Sequence, residues 1–168
     1  CSITVFPCNS STDEILSSNP DGILLSNGPG DPRDLTGIIP VAAELATCKK
    51  PVLGICLGHQ LLALALGMEI YKLKFGHHGG NHPVKDMVTG KCCITSQNHN
   101  YAVSPDKVPG GINLTHINVN DKTVEGFRHD SLPVLSIQYH PEAAPGPEDS
   151  AYIFDDFVNM MKGARDDA

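Results

Sequence analysis

Twice in its first 66 residues the chain shows a short apolar strand, a glycine-containing turn and then an apolar helix. The strand-like runs are residues 22–25 and 51–55, and residues 60–66 are apolar enough to form a buried helix. A helix between the two strands is indicated by apolar residues at helical spacing, which are Ile38, Val41, Ala42 and Leu45. Because parallel strands need such crossovers, this order favours an α/β sheet that helices cover.

The rest of the chain adds several strand-like runs and one closing helix. Tyr71, Leu73 and Phe75 alternate with polar residues. Further strands are predicted at residues 92–95, 112–119, 123–127 and 134–139. The closing helix has one apolar face, formed by Ile153, Phe154, Phe157, Val158 and Met161. We therefore predict an open, mostly parallel sheet with helices on both faces and a small antiparallel section.

Cys56 lies between Gly54 and Gly58, where the second predicted strand gives way to its helix. Glycines on both sides permit the sharp, strained backbone of a nucleophile elbow, which exposes a reactive side chain above a sheet. The helix that begins beside the sulfur favours the thiolate through its dipole and its free N–H groups. Most buried cysteines are inert, but the paired glycines favour a nucleophile here.

A cysteine nucleophile needs a base, and residues 138–142 offer one. Residues two apart in extended backbone project to the same side, and Pro141 keeps this segment out of a helix. His140 and Glu142 are therefore expected side by side, with the carboxylate orienting the imidazole and stabilising its charged form. Such partners lie together in the fold although they are distant in sequence, so Cys56, His140 and Glu142 form the predicted catalytic set.

Two backbone regions could donate hydrogen bonds to an oxyanion. One is the N–H of Leu57, the residue after the nucleophile. The other is the loop at residues 26–32, whose glycines can turn N–H groups toward a ligand and whose prolines stiffen it. This composition also suits an ordinary tight turn. The loop has neither the dinucleotide fingerprint nor the P-loop fingerprint.

Three of these segments together resemble the class I, triad-type glutamine amidotransferases, namely residues 26–32, 54–60 and 140–142. Longer stretches are similar to the family of small, glutamine-hydrolysing subunits of carbamoyl phosphate synthetase. These stretches are KFGHHGGNHPV at residues 74–84, SQNH at residues 96–99 and PEAAPGP at residues 141–147. The resemblance covers nearly the whole chain.

The resemblance implies a flavodoxin-like α/β fold and hydrolysis of L-glutamine. Cys56 would attack the side-chain amide, His140 would manage protons, and Glu142 would hold His140 while a thioester forms and is hydrolysed. The implied oxyanion donors are the backbone N–H groups of Gly28 and Leu57. The implied glutamine-binding residues are Gly28, Gly30, Leu57, Gln60, Asn98, Asn100 and Tyr101.

The resemblance also implies a partner. Ammonia would pass to a large synthetase subunit that uses ATP, Mg and bicarbonate to make carbamoyl phosphate for arginine and pyrimidine biosynthesis. No cofactor is expected in this domain itself. The chain departs from the family at Asn100, where many members have glycine, and at Tyr101, where some have phenylalanine.

Residues 1–7 read as a strand. Compared with the family, this run corresponds to the second strand of the amidotransferase domain. We therefore expect residues 1–168 to be one such domain, lacking its first strand and helix and the family's separate N-terminal domain. A sheet edge would then be exposed.

Charge and composition argue against several kinds of partner. The net charge of -7, from 12 basic and 19 acidic residues, disfavours nucleic-acid binding, which usually needs a basic face. No apolar run is long enough to cross a bilayer, so no membrane association is expected. The six cysteines show no disulfide-framework spacing. That favours a reducing compartment, which is the cytoplasm, or a plastid if the source is a plant.

A histidine-rich segment at residues 75–84 could suggest a metal site. His77, His78 and His82 are potential zinc ligands, but glycines and Pro83 leave the geometry undefined, and no carboxylate or cysteine lies at ligand spacing. We therefore predict no metal, and a loop that packs beside the active site or lines a partner contact. His99 and His116 are interpreted as ordinary structural or surface residues.

Two other functions remain open at this point. The chain could be a different class I amidotransferase domain, serving anthranilate or GMP synthesis, although the segment at residues 75–84 argues against it. It could also be a docking module that keeps the fold without turnover.

Overall fold

The computed structural model describes residues 1–142 and 146–166, so residues 143–145 of the PEAAPGP stretch lie outside it. The α-helices in the described part are α1 (Thr12–Ser17), α2 (Ile38–Thr47), α3 (Leu57–Ala65) and α4 (Tyr152–Asp166), and a short 3-10 helix spans Pro32–Asp34. Its strands are β1 (Ile23–Leu25), β2 (Val52–Ile55), β3 (Ile70–Asp86), β4 (Cys92–Val103), β5 (Ile112–Asn118), β6 (Val124–His129) and β7 (Val134–Ile137).

The strands of the described residues form one sheet in the order β1-β2-β7-β6-β4-β3-β5. β1, β2 and β7 run parallel, with Ile23 opposite Val52 and Val52 opposite Val134. The other pairings in the sheet are antiparallel. The parallel part and its helical crossovers were predicted, but the antiparallel part is larger than predicted. Beyond α3 the strands through β7 are joined without helices, which antiparallel pairing allows.

Helices cover both faces of the parallel part. Successive strand residues point to opposite faces, so Val52 packs into the core that includes α2 and α3, whereas Leu53 and Ile55 pack into the core beneath α4. Ile153 and Phe157 are the buried α4 residues of that second core. Every residue of β2 and β7 is buried. These two strands therefore give the loops at their ends a rigid base.

The prediction of a strand at residues 1–7 is wrong. These residues have no regular secondary structure, and Ile3 and Val5 are 81% and 85% exposed. A strand needs a hydrogen-bonded neighbour, and within the described part of the chain β1 pairs only with β2. Among the described residues, no strand pairs with residues 1–7 or with the outer edge of β1.

The prediction of a loop at residues 75–84 is also wrong. The segment belongs to β3 and pairs with β4, with His77 opposite His99. The register shifts at two places in this pairing, and Gly76 and Gly79 have φ of 69° and 121°, where side chains are rarely tolerated. Irregularities of this kind break the alternation from which a strand is recognised.

The first prediction concerns the contact between α3 and β1. A Cβ at Gly58 would lie 2.0 Å from the carbonyl oxygen of Leu25, so Gly58→Ala should lower the free energy of unfolding by about 3 kcal/mol. Gly163→Ala in α4 is the matched control, because a Cβ there meets nothing within 4 Å. It should raise stability by up to about 1 kcal/mol. Urea denaturation measures both, and a Gly58→Ala protein as stable as wild type would contradict the packing.

Candidate active site

Cys56 follows β2 directly and caps α3 with φ 52° and ψ -102°. A positive φ is uncommon for a residue with a side chain. Its N–H donates to the carbonyl of Ile137 at 2.9 Å, which ties the turn to β7. The neighbouring glycines provide space, since a Cβ at Gly54 would lie 2.7 Å from the carbonyl oxygen of Gly58. The predicted strained turn is therefore present, and the residue with the positive φ is Cys56 itself, not a glycine beside it.

The segments singled out in the sequence meet at one edge of the sheet. β1 leads into the loop that contains Gly28, β2 ends at Cys56, and His140 lies three residues beyond the end of β7. Because these strands are parallel, their carboxyl ends lie together. A cavity of about 350 Å³ opens there.

Most of the predicted site residues line this cavity. They are Gly28, Gly30, Cys56, Gln60, Asn98, Asn100, Tyr101 and His140. Leu57 and Glu142 are not part of the lining; Leu57 follows Cys56 in the chain, and Glu142 is hydrogen-bonded to His140. Three further residues of the lining were not predicted from the sequence, namely Asn27, Pro29 and His99. Asn27 and Pro29 belong to the predicted loop, whereas His99 gave no signal that separated it from a structural histidine.

His140 and Glu142 lie side by side. Nδ1 of His140 donates to Oε1 of Glu142 at 2.7 Å, and the backbone N–H of His140 donates to the carbonyl of Ser96 at 2.9 Å. The His140 side chain is 16% exposed and that of Glu142 is 44% exposed. The second contact ties the segment after β7 to β4, which places the imidazole over the cavity.

The charged form of His140 is favoured from two sides. Its interaction with the Cys56 side chain is the larger cause and the bond to Glu142 the next, and they raise the pKa of His140 to about 10. Partial burial is the largest single influence on the pKa of Glu142 and acts to raise it, but the bond from His140, a backbone hydrogen bond and the charge of His140 together lower the pKa. Nε2 of His140 is buried with no conventional hydrogen bond among the described residues. The imidazole is therefore hydrogen-bonded to a carboxylate and interacts electrostatically with the Cys56 side chain, without a hydrogen bond to the sulfur.

Gln60 is buried, and its amide nitrogen is already used inside the protein. Nε2 donates to the carbonyl of Tyr101 at 2.8 Å and to Oε1 of Gln138 at 2.9 Å. This leaves the amide oxygen of Gln60 as the group it can present to a ligand. The side chain thus also holds the backbone of β4 against α3.

An ion pair stands where the loop after β1 approaches β4. Nε and Nη2 of Arg33 donate to the two carboxylate oxygens of Asp31 at 2.9 and 2.6 Å. The guanidinium of Arg33 lies 5.5 Å from the centre of the Tyr101 ring. Hydrogen bonds from Arg33 keep the pKa of Asp31 well below its usual range. The contact joins the loop to the opposite wall of the cavity.

His77, His78 and His82 do not form a common set of metal ligands in the described part of the chain, although the rings of His77 and His82 lie 5.0 Å apart. Neighbours in a strand project to opposite faces, so His77 is buried while His78 is exposed. The ring nitrogens of His78 lie 3.0 Å from Oδ1 of Asn98 and 3.2 Å from Oδ1 of Asn100. The segment therefore packs beside residues that line the cavity.

A different group in the described part of the chain could hold a metal ion. Ligand atoms of His77, His99 and Glu125 lie within 4.8 Å of one another. Oε1 of Gln97 lies between the two imidazoles, 3.1 Å from Nδ1 of His77 and 2.6 Å from Nε2 of His99. Hydrogen bonds and charge pairing therefore account for this cluster without an ion.

His99 and His116 are interpreted from the sequence as structural or surface residues. Both are buried, so they are not surface residues.

Comparison with known proteins defines the class. The family Glutamine amidotransferase class-I matches residues 1–160, and the chain belongs to this family. That confirms the resemblance seen in the sequence and its predicted enzyme class.

Particular relatives are carbamoyl phosphate synthase small chains. The one from Akkermansia muciniphila is 56% identical over 163 residues, which are 97% of this chain and 44% of that protein. The one from Chlorobaculum tepidum is 56% identical over 164 residues, which are 96% of this chain and 45% of that protein. The chain thus spans less than half the length of these relatives.

A solved structure supports the fold. A putative GMP synthase subunit from Thermoplasma acidophilum has a TM-score of 0.83 and 24% identity, over 97% of this chain and 82% of that one. This likeness confirms the predicted α/β fold class.

In the described part of the chain, no helix has the length and apolar character needed to span a bilayer.

The second prediction concerns the pair of His140 and Glu142. Glu142→Gln should lower the pKa of His140 from about 10, because a neutral amide stabilises the imidazolium less. Because the pKa of His140 is higher in the folded protein than in the unfolded chain, its protonation stabilises the fold, fully so below about pH 6.5, the ordinary pKa of histidine. This stabilisation is lost as the pH rises through the folded-state pKa. NMR titration of the imidazole measures the change. Glu69→Gln, at a surface pair with Lys107, is the control and should leave that pKa unchanged.

Proposed function

We propose that this chain hydrolyses the side-chain amide of L-glutamine with Cys56 as nucleophile, His140 as proton carrier and Glu142 as the group that orients His140. The observation that carries the proposal is that His140, hydrogen-bonded to the carboxylate of Glu142, lines the same cavity as the thiol of the strained turn and interacts with it electrostatically. This arrangement suits nucleophilic attack on an acyl group. The cavity volume of about 350 Å³ suits a small substrate.

In the first step the Cys56 thiolate attacks the amide carbon of glutamine. A carbon–sulfur bond forms, and the π electrons of the carbonyl move to oxygen. The N–H of Leu57 is a suitable donor to this oxyanion, because the first N–H groups of a helix have no intrahelical partner and the dipole favours negative charge. The N–H of Gly28 is the proposed second donor, from the loop after β1.

In the second step the tetrahedral adduct collapses. His140 donates its Nε2 proton to the amide nitrogen while the carbon–nitrogen bond breaks, and ammonia leaves a thioester on Cys56. The raised pKa of His140 means that the imidazole carries this proton at neutral pH. Glu142 keeps a negative charge beside the ring throughout.

In the third step water hydrolyses the thioester. His140, now neutral, takes a proton from the attacking water, and the carbon–sulfur bond breaks to release glutamate. The thiolate and the imidazolium are restored. Gly30, the free amide oxygen of Gln60, Asn98, Asn100 and Tyr101 are the proposed contacts to the rest of the glutamine molecule.

We further propose that the chain is the amidotransferase domain of a longer protein that supplies ammonia to a large, ATP-using and Mg-using synthetase subunit. The identity of 56% with carbamoyl phosphate synthase small chains over nearly the whole chain supports this partner. Carbamoyl phosphate would be the final product, and this domain would need no cofactor of its own. The Thermoplasma structure shares the fold, which does not favour GMP synthesis over this function.

The third prediction tests the nucleophile. Diazo-oxonorleucine, a glutamine-shaped electrophile, should label the chain at Cys56, and peptide mass spectrometry should locate the adduct. Cys56→Ala should not be labelled, whereas Cys48→Ala, which lacks a half-buried cysteine outside the cavity, should be labelled like wild type. His140→Asn should slow labelling roughly 100-fold, because the thiol loses the base that accepts its proton and the thiolate loses the neighbouring imidazolium.

Failure of this labelling would have a clear meaning. A folded wild-type chain that diazo-oxonorleucine leaves unmodified, even with the large subunit present, would contradict the proposed hydrolysis and favour a docking module. Labelling that persists at full rate in His140→Asn would contradict only the role of His140.

The fourth prediction tests the supply of ammonia. In the full-length small chain bound to its large subunit, Cys56→Ala should abolish carbamoyl phosphate synthesis from glutamine and leave synthesis from added ammonia intact. The reason is that the substitution removes the source of ammonia and leaves the partner's chemistry untouched. Parallel rate measurements with the two nitrogen donors check this. Loss of both rates would indicate a structural role for Cys56.

A further inference from the structure

Beneath the cavity wall that contains His99 and Tyr101 lies a buried polar cluster that the proposed chemistry does not use. It joins β3, β4, β6 and the turn between β5 and β6. Its members are the side chains of His77, Gln97, His99, Asp121 and Glu125.

Glu125 is the most buried member, with 0% exposure. Its Oε1 accepts hydrogen bonds from Nε2 of Gln97 at 2.9 Å and from Nδ2 of Asn118 at 3.0 Å, while Oε2 has no partner among the described residues. A carboxylate this deeply buried needs a nearby positive charge. Within the described part of the chain its ion-pair partner is His77, whose Nδ1 lies 3.6 Å from Oε1.

His77 is held as a cation between two carboxylates. Glu125 raises the pKa of His77, burial opposes the change, Asp121 adds to it, and the result is a pKa of about 9. Nε2 of His77 donates to Oδ2 of Asp121 at 2.7 Å. Nδ1 donates to Oε1 of Gln97 at 3.1 Å.

The amide of Gln97 has one favourable orientation. The hydroxyl of Thr95 donates to the carbonyl of His82 at 2.9 Å, so it accepts from Nε2 of Gln97 at 3.2 Å. Nε2 of Gln97 also donates to Glu125. The amide oxygen must therefore face the two imidazoles.

His99 is the last member, and its ring lines the cavity. Its Nε2 lies 2.6 Å from Oε1 of Gln97, and its Nδ1 lies 2.8 Å from the carbonyl of Tyr101, which also accepts from Gln60. The pKa of His99 is lowered to about 3, chiefly because the ring is buried. The Tyr101 carbonyl acts to raise this pKa, and the charge of His77 lowers it further. The neutral ring carries one proton between two acceptors. Gln97 is therefore one of the two groups that hold the His99 ring in place.

We propose that His77 is a positioning residue for the amide-hydrolysing site. As the cation between Asp121 and Glu125, His77 orients the amide of Gln97. Through Gln97 it places His99 and the Tyr101 backbone, which form one wall of the cavity. This role rests on the proposed function, because the wall is useful only if it holds a substrate. It requires no contact between His77 and the substrate.

The fifth prediction compares two reagents on His77→Gln. The glutamine-shaped diazo-oxonorleucine should need about tenfold higher concentration for half-maximal inactivation, because a displaced wall fits the glutamine skeleton less well. Iodoacetamide, which needs only the thiol and its imidazole, should alkylate Cys56 within about twofold of the wild-type rate. NMR titration should also show the pKa of His99 raised, since the neighbouring charge is gone.

His116→Gln is the matched control. His116 is equally buried, and its Nε2 contacts the hydroxyl of Tyr152 at 2.9 Å, away from the cavity lining. It should leave both labelling reactions unchanged. A folded His77→Gln protein with wild-type affinity for diazo-oxonorleucine overturns the proposal, and so does an equal loss in His116→Gln. A wild-type chain that diazo-oxonorleucine does not label overturns the proposed function instead.

Two further variants keep the test decisive if His77→Gln does not fold. The double variant His77→Gln with Glu125→Gln removes the buried carboxylate together with its cation, so it should fold and still bind the glutamine-shaped reagent weakly. Asp121→Asn removes the half-exposed partner and should give a smaller loss in the same direction. Wild-type affinity in both variants overturns the positioning role.

Discussion

The close approach of α3 to β1 and β2 is the constraint on which the candidate site depends. Gly54 and Gly58 leave no space for a Cβ, because the carbonyl oxygens of Gly58 and Leu25 already lie where it would stand. That contact holds Cys56 in its positive-φ conformation, which an isolated turn would not keep. The strain is tolerated because β2 is buried on both faces and is paired on both edges. The thiol is therefore presented at the start of a helix by close packing together with the hydrogen bond from the Cys56 N–H to Ile137.

Two imidazoles near the cavity are used in opposite ways. His140 has one ring nitrogen bonded to Glu142 and the other without a hydrogen-bond partner among the described residues, so a proton can move on that side. His77 has both ring nitrogens engaged with oxygen acceptors, so its charge is locked in place. Low local polarity strengthens both sets of interactions. The arrangement of His140 suits proton transfer, and that of His77 suits a rigid structural role.

The sequence predicted the elements that obey simple periodicity. Helices α2 and α3 and strands β1, β2 and β7 lie where apolar spacing indicated, and the turn at Cys56 lies between its two glycines. Prediction failed where a local pattern and the tertiary environment disagree. Residues 1–7 alternate like a strand but pair with no strand among the described residues. Residues 75–84 belong to an irregular strand whose glycines and register shifts interrupt the alternation of side chains.

By itself the sequence determined the family of this chain, the order of its strands and helices in the parallel half, and the pairing of His140 with Glu142, because each follows from residue type and short-range spacing. Only the tertiary structure decided which distant side chains share an environment. It brought His77, Glu125 and His99 together from three strands and placed His99 at the cavity. The physical reason is that a histidine has no intrinsic charge state or role. Burial and the nearest carboxylates assign these, and strand pairing over long sequence separations determines which carboxylates are near.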